Sequence, residues 1–160
     1  MDTIALARGK WVDHGWADAA EGMAAVTSIM RAQQIVQARV DEVLRPYDLT
    51  FARYEVLMLL HFSSRGSMPV KKASERLQVH PTSITNSVDR LEAVGLVRRL
   101  PHPTDGRATL IELTEAGRET ALKATDALNR DVFSQPGVPA RRVGTLINVL
   151  TDLRKTAGDF

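Results

Sequence analysis

The side chains best suited to hydrogen bonding with a ligand are concentrated in one segment near the middle of the chain. Residues 81–92 read Pro-Thr-Ser-Ile-Thr-Asn-Ser-Val-Asp-Arg-Leu-Glu, a run rich in hydroxyl and amide groups. Hydroxyls bond to DNA bases or phosphates, and an asparagine amide can form two bonds to adenine. A helix surface that only faces water is better served by Glu and Lys. The segment is therefore a candidate for nucleic-acid contact.

Apolar residues in this segment recur at the spacing of an amphipathic helix. Ile84, Val88 and Leu91 stand at positions i, i+4 and i+7, which places them on one helix face. Pro81 suits the first turn, where its missing N–H costs nothing, and Gly95 suits the position just after the last turn. The pattern predicts a helix with one buried stripe and a separate polar face.

The elements around this helix predict a winged helix-turn-helix. Residues 70–77 read as a preceding helix and residues 78–81 as the turn. Leu96–Leu100 and Arg107–Leu113 read as two strands, joined at 101–106 by a turn that contains the favoured Asp-Gly pair. The second helix of such a motif enters the DNA major groove, about 12 Å wide, and its first turn reaches the base edges.

The distribution of charge favours the same segment, although the net charge of the chain is only +2. Residues 67–107 hold seven Lys or Arg against four Asp or Glu, an excess of three. Residues 1–66 carry −1 and residues 108–160 are balanced. A basic surface attracts polyphosphate and makes binding depend on salt. Chance clustering is the alternative if charge is considered alone.

Length and composition set the broad class. A chain of 160 residues, 44% hydrophobic and 25% charged, corresponds to about one globular domain. The absence of cysteine excludes disulfides, Cys-ligated zinc and a thiol redox switch. No apolar run approaches the roughly 18 residues of a membrane helix, and the first residues lack signal-peptide features. We therefore expect a cytoplasmic protein.

Helices are also predicted on both sides of the winged segment. One runs from about Gly22 to Arg45 and is stopped by Pro46. A short helix at 51–62 has Thr50 as its N-cap. A long helix begins after Thr114 and is predicted to reach Phe133.

A last helix, after Pro139, has an apolar stripe too long for a small winged domain to use alone. The stripe consists of Val143, Leu146, Ile147, Leu150 and Leu153. A symmetric dimer would bury it and would space two reading helices about one DNA turn apart. Packing against the first helix of the same chain is the alternative.

Together these motifs resemble the MarR family of bacterial transcriptional regulators. The resemblance is carried by Leu49-Thr50, residues 80–85, residues 90–99, Asp105-Gly106-Arg107 and Leu113-Thr114-x-x-Gly117. The wing pattern, Asp-x-Arg, five residues, then Leu-Thr, is complete. The resemblance covers about residues 22–155.

The resemblance implies a mainly α fold with a small β-wing, in which a winged helix-turn-helix is joined to terminal dimerisation helices. Residues 1–46 would form an N-terminal extension and dimerisation helix, 47–114 the DNA-binding domain, and 115–160 the C-terminal dimerisation helices. Such a homodimer reads a pseudo-palindromic operator. The family commonly represses a neighbouring gene and releases DNA when a small, often aromatic, anion binds.

The resemblance also assigns DNA-binding residues to the recognition helix and the wing. They are Thr82, Ser83, Thr85, Asn86, Arg90, Asp105 and Arg107. The predicted hairpin adds His102 and Arg99, which it would place near phosphates or a minor groove. Asp105 is interpreted as a structural partner of Arg90 or Arg99, which leaves Arg107 to contact phosphate or the minor groove.

Two positions depart from the family pattern. Many members have a second arginine where Gly106 stands, which predicts a weaker grip at the wing tip. Many have glycine where Gln78 stands, at the left-handed end of the first helix of the pair. A residue with a side chain costs on the order of 1 kcal/mol there.

The N-terminal segment suggests a small-molecule site. Residues 1–20 form a head of uncertain structure that contains Trp11, His14 and Trp16. Such an extension resembles the urate-responsive branch of the family, whose acidic and basic positions Glu55 and Arg99 could match. Ser87 stands where that branch has an arginine, which counts against urate itself. Candidate ligand residues are Trp11, His14, Trp16, Arg53 and Tyr54, since aromatic walls with a cation suit a ring carboxylate. Packing of the tryptophans in a dimer interface is the alternative.

Enzyme classes find little support. His14, His61, His80 and His102 are scattered and do not form a metal-ligand set, and no glycine-rich phosphate loop follows a strand. We expect no catalytic site, no cofactor and no metal. The alternative function is a winged-helix module that binds protein rather than specific DNA. Such a module predicts a hydrophobic or acidic reading face, unlike the one in this sequence.

Overall fold

The computed structural model describes residues 1–105 and 108–160, which form helices around one small sheet. A 3₁₀ turn follows the second helix and a π-helical turn, Asn129–Phe133, continues the sixth. The fold confirms the predicted class of a mainly α chain with a small β-wing. The elements in order are α1 (Thr3–Asp13), α2 (Ala17–Leu44), α3 (Phe51–His61), β1 (Ser67–Pro69), α4 (Val70–Leu77), α5 (Pro81–Ala93), β2 (Val97–Pro101), β3 (Thr109–Leu113), α6 (Glu115–Leu128) and α7 (Ala140–Thr156).

Local signals set the ends of the helix pair α4 and α5 where the sequence predicts them. Pro81 is the first residue of α5, and His80 caps the helix because its Nδ1 accepts a 3.2 Å hydrogen bond from the Thr82 amide. Gly95, at φ +75°, follows the end of α5. Gln78 has the left-handed conformation expected of the turn, at φ +53° and ψ +41°.

The sheet has three antiparallel strands in the order β1-β3-β2. The sequence predicted the β2–β3 hairpin but not β1, which is only three residues long and ends in Pro69, too short for an alternating pattern. Ile111 in the central strand is fully buried and is paired with Met68 on one side and Arg99 on the other. The described part of β3 begins at Thr109, and the predicted strand start at Arg107 lies outside the described residues.

One hydrophobic core joins the winged segment to the flanking helices. Leu44 of α2, Leu57 of α3, Leu91 of α5 and Leu128 of α6 belong to the same buried cluster, and each is at most 1% exposed. The core is therefore continuous across residues 47 and 114, where the sequence suggested functional boundaries.

The N-terminal head, left without a structure by the sequence pattern, is a helix. The Asp2 carboxylate caps α1 by accepting hydrogen bonds from the Ile4 and Ala5 amides at 3.0 and 3.2 Å. None of the α1 residues is buried, and Ile4, Ala7 and Trp11, spaced at i, i+3 and i+7, are only half-buried. Gly15, at φ +82°, makes the turn into α2, which begins at Ala17 rather than near Gly22.

The apolar faces of α7 and of the first half of α2 are exposed. Ile147 and Leu153 of α7 are 57% and 49% exposed, and Met30 of α2 is 63% exposed. None of the α7 residues is buried. The sequence left open that the α7 stripe packs against the first helix of the same chain. The structure does not bury the stripe in this way. Within the described ranges, no helix has the length and apolar character needed to span a membrane.

The end of the chain returns to the helix-turn-helix. Gln78 Nε2 donates a 2.5 Å hydrogen bond to the carbonyl oxygen of Asp159, and Arg154 donates to Gln78 Oε1 at 3.4 Å. Arg154 also pairs with the Asp159 carboxylate at 2.6 Å and lies 4.8 Å from the centre of the Phe160 ring. The turn thus contacts the C-terminal residues through the side chain of Gln78, the left-handed residue.

Candidate nucleic-acid interface

The α5 helix has the two faces that its sequence predicts. Ile84, Val88 and Leu91 are at most 1% exposed and hold the helix against the core. The predicted reading residues are all exposed on the remaining surface. They are Thr82, Ser83, Thr85, Asn86 and Arg90.

The polar groups of this face differ in how much hydrogen-bonding capacity they retain. The Thr85 hydroxyl donates to the Pro81 carbonyl at 3.0 Å, so toward a ligand it offers its oxygen lone pairs and its methyl group. The side chains of Asn86 and Arg90 form no hydrogen bond or ion pair within the described part of the chain. They are the side chains most available for a base edge and a phosphate.

Arg99, predicted to contact DNA and offered as a partner of Asp105, pairs with carboxylates of α5 rather than with Asp105. Its guanidinium forms ion pairs with Glu92 and, at 2.5 Å, with Asp89, and its backbone N–H donates to Glu92 Oε1 at 2.8 Å. The backbone N–H of Arg99 and then its guanidinium hold the pKa of the Glu92 carboxyl below its ordinary value. Two carboxylates offset this cation, so its first role is to position the wing.

The wing turn is organised by His102. Its Nδ1 accepts hydrogen bonds from the amides of Thr104 and Asp105 at 3.3 and 3.2 Å, which places the ring proton on Nε2. His102 therefore shapes the turn as well as lining its surface. Arg107, the predicted wing contact, lies outside the described residues.

A groove of about 490 Å³ brings the reading helix and the wing together. Thr85, Arg99 and Asp105 line it, so three of the predicted DNA-binding residues share one concave surface. Lys71, at the start of α4, also lines the groove and is a cation that the sequence pattern did not single out. The adjacent Lys71 and Lys72 are the feature of the sequence that could have indicated a basic surface here.

The five candidate ligand residues form two separate groups in one chain. Trp16 makes ring contacts with Trp11, at 5.3 Å between centres, and with His14, at 5.8 Å. Arg53 instead donates to Thr50 Oγ1 and the Asp48 carbonyl, each at 3.2 Å. Tyr54 is buried, and its hydroxyl is 3.0 Å from Thr125 Oγ1. No hydrogen bond or ring contact connects the groups among the described residues.

Glu55 and His61, both considered in the sequence analysis, lie on α3 and are partly buried. The pKa of the Glu55 carboxyl is raised by partial burial, which favours its neutral form. His61, one of the scattered histidines, is half-buried, and its Nδ1 lies 2.9 Å from Arg118 Nη1 of α6.

Comparison with known sequences gives a consistent family. A model described as the MarR family matches residues 47–108. The multiple antibiotic resistance protein MarR of Escherichia coli is 30% identical over 109 residues, which cover 66% of this chain and 74% of that protein. An uncharacterised HTH-type transcriptional regulator of Bacillus subtilis, YhbI, is 38% identical over 82 residues, 51% of this chain. That match spans about half of YhbI, 52% of its length.

Solved structures agree over most of the chain. Sco5413, a MarR family transcriptional regulator from Streptomyces coelicolor, is 51% identical, with a TM-score of 0.78 over 88% of this chain and 97% of that one. A mutant MarR from E. coli, complexed with operator DNA, is 26% identical with a TM-score of 0.75. That match covers 84% of this chain and 96% of the E. coli chain.

Proposed function

We propose that this chain, which belongs to the MarR family of transcriptional regulators, binds a pseudo-palindromic operator as a homodimer and represses a neighbouring gene until a small aromatic anion releases it. The observation that carries the proposal is the outer face of α5, where Asn86 and Arg90 are exposed and unpaired within the described residues. The E. coli relative, solved in complex with operator DNA, supports DNA binding by this chain. Such a regulator acts in the cytoplasm, as the sequence predicts.

The exposed apolar faces of α7 and α2 support the dimer. Ile147 and Leu150 lie on one side of α7, and Val26 and Met30 lie exposed on α2. A second copy would cover these surfaces by an isologous contact, in which each chain contributes the same patch. On this proposal residues 1–46 and 115–160 assemble the dimer, and 47–114 read the DNA.

The DNA-binding test begins with an operator enriched from a random duplex library. Fluorescence anisotropy should then give an affinity that falls steeply with salt. Asn86→Ala should mainly reduce the preference for the enriched site over random duplex, whereas Arg107→Ala should weaken binding to both. Asn148→Ala, at an exposed α7 position, is the matched control. If no duplex binds at low salt, the protein-interaction module becomes the better function.

The dimer has its own test. Ile147→Lys with Leu150→Lys should yield a monomer by light scattering, with Asn148→Lys as the control off the apolar stripe. A monomer loses the second half-site, which should cost about a hundredfold in operator affinity. A double variant that stays dimeric and binds normally would remove this surface from the proposal.

The proposed effector site is the cluster of Trp11, His14 and Trp16. Aromatic faces beside an imidazole suit a ring that carries an acidic group. Such a ligand releases DNA only if it binds the low-affinity conformation more tightly than the DNA-bound one. A panel of aromatic carboxylates should quench tryptophan fluorescence and weaken operator binding together, and Trp16→Phe should reduce both effects. Ligand that acts equally on the Trp16→Phe variant would place the effector site elsewhere.

A further inference from the structure

A second concave surface of the winged segment, separate from the α5 groove, is strongly basic. It has a volume of about 650 Å³ and lies between the end of α3, helix α4 and the wing turn. Three cations line it, Arg65 before β1 and Lys72 and Arg76 on α4. His102 and Thr104 of the wing form another part of the wall, and the described residues of the lining include no carboxylate. We call this surface the outer groove.

The cations of the outer groove have no counterion among the described residues. Within the described ranges, Arg65, Lys72 and Arg76 make no ion pair and no side-chain hydrogen bond. The neighbouring strand arginines differ, because Arg98 pairs with Glu112 and Arg99 pairs with two carboxylates of α5. Lys72 and Arg76 also stand four residues apart on one helix, where like charges repel. An external anion would relieve that repulsion.

The position of the outer groove indicates which anion it binds. Pro69 lines both this groove and the groove that contains Thr85 and Asp105, so the two surfaces adjoin at the base of α4. The wing turn borders both grooves. A duplex read by α5 and touched by the wing would continue past the outer groove, and the sugar–phosphate backbone is its most regular source of anions.

We propose that Arg65, Lys72 and Arg76 hold the phosphate backbone of the duplex beyond the wing, so that the footprint on DNA extends past the bases that α5 reads. This inference rests on the proposed DNA-binding function and adds a site to it. Each phosphate contact releases counterions, so loss of three contacts should reduce the slope of log affinity against log salt by up to about 3 per chain.

The test compares a library-enriched site in duplexes whose flanks are trimmed stepwise. The full-length protein should bind the longest duplex about tenfold more tightly than the trimmed one, because flank phosphates add contacts. The triple variant Arg65→Ala, Lys72→Ala, Arg76→Ala should lose that gain and keep wild-type affinity for the trimmed duplex. Arg141→Ala, Arg142→Ala, Lys155→Ala removes the same charge from exposed positions of α7 and should retain the gain.

The other outcomes overturn the inference in distinguishable ways. If the triple variant matches the wild type at every length, the outer groove does not contact DNA, and the proposed function stands. If the triple variant loses affinity equally on trimmed and long duplexes, the three cations act on the site that α5 binds. If the α7 control also loses the flank gain, the cations act only through net charge. If the wild type binds no duplex, the proposed function fails first. Arg65→Lys with Arg76→Lys should preserve the flank gain if the contacts are made to phosphates.

Discussion

Arg99 and Glu92 are joined twice: the Arg99 backbone N–H donates to the Glu92 carboxylate at 2.8 Å, and the Arg99 guanidinium forms an ion pair with the same group. One residue lies in β2 and the other in the last turns of α5. The contact therefore sets the position of the wing relative to the reading helix. A cation predicted to contact DNA thus also ties the wing to α5.

Replacement of Glu92 should loosen the wing without unfolding the chain. Glu92→Ala removes the acceptor of a backbone N–H and should destabilise the fold by about 0.5–1.5 kcal/mol, with little added by the screened ion pair. Operator affinity should fall because the wing is less well oriented. Glu92→Gln keeps an amide oxygen as acceptor and should be milder. Denaturant unfolding and anisotropy measure the two effects, and equal losses for Ala and Gln would contradict the role of the backbone bond.

The same carboxylate gives a pH dependence with a defined sign. Because Arg99 lowers the pKa of Glu92 in the folded state, the stabilisation is complete above the ordinary value of 4.5 and is lost as the pH falls through the lower folded value. Thermal unfolding of the wild type and of Glu92→Gln should therefore converge in acid and separate above pH 4.5. A difference that stays constant with pH would show that neither the backbone N–H bond nor the ion pair favours the charged carboxylate.

Gly117 is the glycine of the wing motif whose replacement the structure forbids. A Cβ there would lie 1.9 Å from the Leu96 carbonyl oxygen and 2.9 Å from a Leu113 methyl. Since backbone must move, Gly117→Ala should cost about 1–3 kcal/mol or more. Gly9→Ala, in α1 with open space around it, should stabilise by about 0.5–1 kcal/mol. Comparison of their unfolding midpoints tests the clash, and a neutral Gly117→Ala would refute it.

Tyr54 should behave as a core residue rather than a ligand contact. Tyr54→Phe removes the hydroxyl that lies 3.0 Å from Thr125 and should cost about 1 kcal/mol of unfolding free energy. The quenching of tryptophan by an aromatic carboxylate should be unchanged. Thr125→Val removes the other partner, and a double-mutant cycle then isolates the pair. Loss of ligand binding in Tyr54→Phe with normal stability would restore the original assignment.

Gln78 combines an unfavourable backbone with a favourable side chain. Gln78→Gly relieves a left-handed strain of about 1 kcal/mol but loses the bonds to Asp159 and Arg154, so its net effect on stability should be small. Gln78→Ala keeps the strain and loses the bonds, and should be the less stable variant. Chemical denaturation ranks the three proteins. An alanine variant as stable as the wild type would mean that the C-terminal contact contributes nothing.

The parts of the fold that could be predicted are those with local signals. Thr50 and Thr114 cap their helices by accepting from the Arg53 and Gly117 amides, and Pro81 and Gly95 bound α5, all within a few residues of sequence. The pairing of Arg99 with Glu92 rather than Asp105 depends on how β2 crosses α5, which no spacing encodes. The π-helical turn after Leu128 likewise depends on tertiary contact, since Arg39 donates to the carbonyls of Asp131 and Gln135 at 3.1 and 2.8 Å.

The continuous core also limits where the proposed dimer of this chain can move. Leu44, Leu57, Leu91 and Leu128 pack together without a seam, and close-packed interiors transmit displacement rather than absorb it. Each protomer should therefore rotate as one rigid body that includes α2, α6 and, far from the subunit contact, α5. A change in the distance between the two α5 helices then requires the protomers to rotate relative to each other. A shift of about 1–2 Å at the subunit contact would produce a larger displacement of α5 at the DNA. On the proposed dimer, the hinge is expected at the interface between the chains and not at a joint within one chain.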